Sequence, residues 1–159
     1  MNSFLYTLLW PLLVVVVFVG TVSCGWGGCE PLTIPICQQV KYTSTILPNF
    51  EGHRSQNQTI QATVHLMPLI NSNCSKDIVN LYCAYYAPIC ITQGIDDKAM
   101  TIRPCWTLCN QVRNSCDKTV KRLFGKNSPW FWKTNCNSLP KTGLCFGRKK
   151  VGQPQAVYL

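Results

Sequence analysis

Negative charge is scarce in this chain. Its 159 residues carry six Asp and Glu against 15 Lys and Arg, a formal net charge of +9. No charged side chain precedes Glu30. So few carboxylates leave no paired acid cluster for general acid–base work, and no Ser/His/Asp order suits nucleophilic catalysis. Gly25-Trp26-Gly27-Gly28 is rich in glycine but lacks the rest of a phosphate-cradling loop. Histidine is limited to His53 and His65, and no C-x-x-C occurs. Structural zinc draws on clusters of both residue types, so no metal is expected, nor any other cofactor. Beyond Gly20 there is no second long apolar run. A membrane span takes about 20 apolar residues, so none is expected in the mature chain. These absences point away from an enzyme and toward a binding module.

The one long apolar run lies at the start. Phe4 to Gly20 is almost wholly apolar, broken by Pro11, and Leu12 to Val19 has the length of a signal h-region. Small residues follow at once, and Val22 and Cys24 suit the −3 and −1 positions of a cleavage site. Residues 1–24 are read as a signal peptide and 25–28 as a flexible leader, with a retained signal anchor as the alternative. The protein is therefore expected to be secreted and extracellular, where cysteines pair. Removing Cys24 from the 11 cysteines leaves ten, the even number that a complete framework needs.

Coarse elements can be placed between those cysteines. Cys29 to Ile46 reads as short strands and turns around Pro31 and Pro35. Pro48 to His53 reads as a loop. Ser55-Gln56-Asn57-Gln58 is a capping box that opens a helix, Ile60, Val64 and Met67 follow at helical spacing, and Pro68 is expected to close it. Ser75 is the expected cap of a second helix through Ile78, Val79, Leu81 and Tyr82.

The third helix is the clearest. Pro104 suits its first position, and Cys105, Leu108, Cys109, Val112, Cys116, Val120 and Leu123 recur at steps of three and four before Gly125 ends it. Its three cysteines cannot pair with one another. Neighbours at i,i+4 hold their Cβ atoms about 5–6 Å apart, and a disulfide needs about 3.8 Å. Each must therefore reach a distant segment. Ten cysteines still allow about 945 pairings, and spacing alone goes no further.

Several blocks together carry a resemblance. They are Cys29-Glu30-Pro31-Leu32-Thr33-Ile34-Pro35-Ile36-Cys37, Leu47-Pro48-Asn49 with Gly52-His53 and Gln56, and Met67-Pro68-Leu69-Ile70 leading to Cys74-Ser75. Tyr82-Cys83-Ala84-Tyr85-Tyr86-Ala87-Pro88-Ile89-Cys90 and Pro104-Cys105-x3-Cys109-x6-Cys116 complete the set. From Cys29 to Cys145 the chain resembles the Frizzled-type cysteine-rich domain, with all ten cysteine positions filled in order. The resemblance implies a domain over 29–146 and the pairing Cys29–Cys90, Cys37–Cys83, Cys74–Cys116, Cys105–Cys145 and Cys109–Cys136. It implies a small, disulfide-rich, mainly α fold: a bundle of about four helices with short N-terminal strands.

Domains of this kind in Frizzled receptors and secreted Frizzled-related proteins bind Wnt ligands and hold the ligand's acyl chain in an apolar groove. The resemblance places that groove at His65, Leu66, Met67, Pro68 and Tyr85. A Wnt-type, lipid-modified protein is thus the expected partner. Lipid binding or self-association as a homodimer without Wnt affinity is the alternative, as is a truncated receptor ectodomain. Two departures stand out: His65-Leu66 replaces the Gln-Phe usual in the family, and Gly125 to Trp132 is longer than the family's G-F-x-W-P. Trp130, Phe131 and Trp132 are candidates for a missing apolar wall.

Charge is uneven along the chain. Twelve of the 15 basic residues follow residue 97, with Asp117 the lone acid among them. Lys118, Lys121 and Arg122 form a basic helix face suited to heparan sulfate, while nucleic acid is a poor partner for an exported chain. Asn57-Gln58-Thr59 is a glycan acceptor, and Asn73-Cys74-Ser75 a weaker one because Cys74 is expected in a disulfide. Residues 147–159 are read as a basic, disordered tail without a further module.

Overall fold

The computed structural model describes residues 28–93, 98–128 and 136–147. The proposed signal peptide, most of the leader, Trp130 to Trp132 and the tail beyond Gly147 lie outside the described residues. The fold is small, disulfide-rich and mainly α, with four α-helices among the described residues.

Strands β1 (Cys29–Pro31) and β2 (Ser44–Ile46) pair antiparallel, with Glu30 opposite Thr45. Pro31 sits on the edge strand, where its missing N–H interrupts no ladder. The sheet continues through β3 (Ile89–Gln93) and β4 (Lys98–Ile102), in the order β1-β2-β3-β4. The β3–β4 hairpin was not foreseen from sequence. Its alternation is weak, and its first residues belong to the Pro88-Ile89-Cys90 block, read only as a cysteine motif. Between β1 and β2 a 3-10 helix spans Pro35–Gln39.

Helix α1 (Gln56–Thr63) begins where the capping residues place it. Ser55 Oγ accepts from the Gln58 N–H at 3.1 Å. The return bond runs one residue further back than in a standard box, with Gln58 Oε1 accepting from the Arg54 N–H at 2.9 Å. Pro68 does not close this helix. The chain tightens into a 3-10 turn at Val64–Leu66, and α2 (Met67–Ile70) follows with Pro68 in its first turn, where no donor is lost.

The expected apolar face of α1 is also corrected. Ile60 and Val64 are 38% and 65% exposed, while Thr59, Thr63, Leu66 and Ile70 are buried. The threonines can be buried because their hydroxyls are satisfied. Thr63 Oγ1 donates to Thr59 O at 2.7 Å and lies 2.6 Å from the Tyr82 hydroxyl, and Thr59 Oγ1 accepts from Asn49 Nδ2 at 3.2 Å.

Helix α3 (Ile78–Tyr86) is the centre of the core, with every residue from Leu81 to Cys90 buried. Its N-cap is Asp77. Ser75 acts two residues earlier, its Oγ accepting from the Asp77 N–H at 3.3 Å. Helix α4 (Trp106–Phe124) buries Leu108, Cys109, Val112, Cys116 and Val120 against it, and Gly125 ends it at φ 54°, donating to Lys121 O. Pro104 precedes the helix rather than opening it, bridging to Phe146, and Cys105 is the N-cap. Leu123 is 40% exposed, because the last turn of α4 runs past the core.

Five disulfides tie these elements: Cys29–Cys90, Cys37–Cys83, Cys74–Cys116, Cys105–Cys145 and Cys109–Cys136. They close 27 to 61 residues of sequence each. On the chain-entropy account each restricts the unfolded chain by about 4 kcal/mol. That contribution matters in a domain whose single core is modest.

Candidate ligand-binding groove

The exposure of Ile60 and Val64 has a structural counterpart. Together with Met67 they form one wall of a surface groove of about 440 Å³. The opposite wall is Ile34, Pro35, Ile36 and Gln39, carried by the first 3-10 helix, and Thr63 and Tyr82 lie beneath. A ring-constrained Pro35 starts that 3-10 helix, so Ile34 and Ile36 are held on either side of a stiff turn.

Two links fix the walls. Cys37, next to Ile36, is bonded to Cys83, next to Tyr82, so the 3-10 wall is pinned covalently to α3. Gln56, the first residue of α1, bridges the two walls. Its Oε1 accepts from the Thr33 N–H at 2.7 Å and the Ile34 N–H at 3.2 Å, and its Nε2 donates to Pro31 O at 2.8 Å and Glu30 Oε1 at 2.7 Å.

Among the described residues, no lining side chain is ionisable at neutral pH. Tyr82 has the one titratable group among the described residues of the lining. Burial raises its pKa, and its hydrogen bond with Thr63 lowers it in part. The hydroxyl therefore stays protonated and spends its hydrogen-bonding capacity on Thr63 rather than on the groove. What remains is an uncharged trough of branched aliphatic, proline and thioether groups. Such a lining accepts apolar chains, each buried methylene contributing about 0.8 kcal/mol.

Of the residues expected from sequence to line a groove, the structure keeps Met67 there. His65 and Pro68 are exposed outside this lining. Leu66 and Tyr85 are core residues, 0% and 3% exposed. Leu66 follows Thr59 and Thr63 on the buried stripe of the segment, and Tyr85 packs edge-on against Phe50 with ring centres 6.3 Å apart. Ile34, Ile36, Ile60 and Val64 were missed. The available signal was that Thr59, Thr63, Leu66 and Ile70 repeat at steps of four and three, which leaves Ile60 and Val64 facing away.

Lys118, Lys121 and Arg122 are exposed on α4, with Lys121 paired to Asp117 at 2.6 Å. Asn57 is exposed at the second position of α1, and Asn73 is exposed with a left-handed φ of 51°. Among the described residues, no group of three or more His, Cys, Asp or Glu is arranged to hold a metal ion, and no helix is long and apolar enough to cross a membrane.

Five disulfides on a helical core with an N-terminal strand pair are features that comparison with known proteins can place. The family model described as the Fz domain matches residues 29–143. This chain belongs to the Fz domain family. Protein mom-5 of Caenorhabditis elegans is 37% identical over 120 residues, which cover 76% of this chain and 20% of that protein. Frizzled-3 of Xenopus laevis is 33% identical over 142 residues, covering 88% and 20%. Secreted frizzled-related protein 3 of Gallus gallus is 31% identical over 127 residues, covering 79% and 38%. The Fz domain described here thus matches much less than half the length of these relatives. Among solved structures, the xenopus Smoothened cysteine-rich domain in its apo-form superposes with a TM-score of 0.50 at 26% identity, over 72% of this chain and 90% of that one. A selenomethionine-labelled Smoothened cysteine-rich domain gives 0.49 at 27% identity, over 69% and 87%.

Proposed function

We propose that this Fz domain is a secreted, extracellular binding module, not an enzyme, that takes an acylated Wnt-type ligand and modulates or sequesters it. The observation that carries this reading is the uncharged groove between Ile34–Ile36 and Ile60/Val64/Met67. At about 440 Å³ it falls within the range of small-molecule sites, about 300–1,000 Å³. An acyl chain laid there would cover side chains that are otherwise left in water. The names of the relatives, Frizzled and secreted frizzled-related protein, support the choice of ligand class. In this reading residues 1–24 are a cleaved signal peptide, 29–146 form the binding domain, and 147–159 are a basic tail.

The test uses purified secreted protein and a Wnt-type ligand with and without its acyl group. The acylated form should bind at least tenfold more tightly. Equal binding of the two forms would remove the groove from the account. A fluorescent mono-unsaturated fatty acid separates the second reading, in which the domain carries lipid or self-associates without Wnt affinity: uptake of the free fatty acid with no binding of the acylated protein would favour it. N-terminal sequencing of the secreted product should begin at Gly25.

A further inference from the structure

Asn57 lies on the groove side of α1. It precedes Ile60 by three residues and Val64 by seven, spacings that place the three along one side of the segment as successive neighbours. Ile60 and Val64 are the exposed wall of the groove, and Asn57 is itself exposed at the end of that wall. The adjacent Gln56 reaches across to the opposite wall, in the bonds that close the same end.

Asn57-Gln58-Thr59 is an acceptor sequence for N-linked glycan. The hydroxyl of Thr59 is within the fold, its residue 0% exposed and its Oγ1 bonded to Ser55 O and Asn49. The acceptor can be read only while the chain is still open, so sugar transfer must precede the docking of α1. After docking, the sugar stands on the finished surface beside the groove.

We propose that Asn57 carries an N-linked glycan that stands at the mouth of the groove and limits which ligands reach it. The modification balances as a glycosyl transfer. Asn57 Nδ2 loses one proton and bonds to the anomeric carbon of the first sugar of a lipid-pyrophosphate-linked oligosaccharide. The bond from that carbon to the pyrophosphate breaks, the leaving pyrophosphate keeps the electron pair, and nothing is oxidised or reduced. A glycan is bulky and hydrophilic. Placed beside Ile60 it leaves a thin acyl chain free to enter and obstructs the protein body to which such a chain is attached. This rests on the reading of the chain as an exported, acyl-binding domain.

The experiment compares the glycosylated protein secreted by animal cells with Asn57→Gln from the same cells. Mass spectrometry of the wild type should find a glycan on the peptide holding Asn57. Hydroxyl-radical labelling should then oxidise Val64 and Met67 several-fold more in Asn57→Gln than in the wild type. A fluorescent mono-unsaturated fatty acid should bind both forms equally, and an acylated Wnt-type protein should bind Asn57→Gln several-fold more tightly. An unmodified Asn57 in the secreted wild type overturns the proposal, as does a modified Asn57 with equal labelling of Val64 and Met67. A fatty acid that binds neither form would instead count against the acyl-binding reading, while the labelling still decides where the glycan stands.

Discussion

Gln56 Oε1 accepts the Thr33 N–H at 2.7 Å across 23 residues of sequence, joining the first residue of α1 to the strand-side wall of the groove. The same amide holds Pro31 O, so one side chain occupies donors and acceptors that would otherwise need water. Gln56→Ala leaves those backbone groups without this partner. A loss of about 1–3 kcal/mol in stability is expected, read from chemical denaturation. Fatty-acid affinity should fall several-fold more than it does in Gln39→Ala, because Gln39 lines the groove without joining its walls. Equal losses in the two variants would show that the bridge has no bearing on the groove.

The wall itself can be tested at Val64. Because Val64 is 65% exposed, Val64→Glu should fold with native disulfides and a native circular dichroism spectrum. An acyl chain covering that position would have to desolvate a carboxylate, which is costly. Fatty-acid binding should drop more than tenfold. Leu66→Ala is the contrasting change. Leu66 is fully buried, so about 2–5 kcal/mol of stability should be lost through a core cavity. Unchanged fatty-acid affinity in Val64→Glu would exclude this wall.

Glu51 predicts a pH effect. One of its carboxylate oxygens is buried without a hydrogen-bond partner, and burial raises its pKa. A raised folded-state pKa means that the charged form is disfavoured by folding. The penalty is fully present above that raised value and disappears as pH falls through it to the unfolded carboxylate range, about 4.3. Glu51→Gln should therefore melt higher than wild type at pH 7, and the gap should close by pH 4. A gap that is constant from pH 4 to 8 would mean that Glu51 ionisation is not its cause.

The basic face of α4 supports a separate measurement. Lys118, Lys121 and Arg122 are exposed, and the Lys121–Asp117 pair is too exposed to neutralise the face by itself. Heparan sulfate or heparin should be released by moderate salt, since the attraction is screened over about 8 Å at physiological ionic strength. Replacing all three with Gln should lower the salt needed for elution. Elution alongside the wild type would leave these residues as solvated surface only.

Much of the domain was legible without coordinates. The steps of three and four from Leu108 to Val120 determine a helix with one buried face, and geometry forbids its cysteines from pairing with each other. Ser55 and Gly125 mark helix ends because each offers a local group or conformation that needs no tertiary partner. The family also followed from cysteine spacing and the blocks between. Less could be read where burial depends on partners. Ser75 and Pro104 each lie two residues before the position expected of them, because loops that precede helices are shaped by what they pack on.

The groove belongs to that second kind of information. By itself the sequence determined ten cysteines in family order, an amphipathic α4 and an apolar triplet at Ile60, Val64 and Met67. Only the tertiary structure decided that Ile60 and Val64 face water, with Met67 half-buried beside them. Asn49 and Tyr82, distant in sequence, supply hydrogen bonds to Thr59 and Thr63, so two polar residues could be buried and the apolar ones turned outward. Which face of a helix is buried is set by the summed satisfaction of all groups on it, and those partners come from segments that periodicity within α1 does not register.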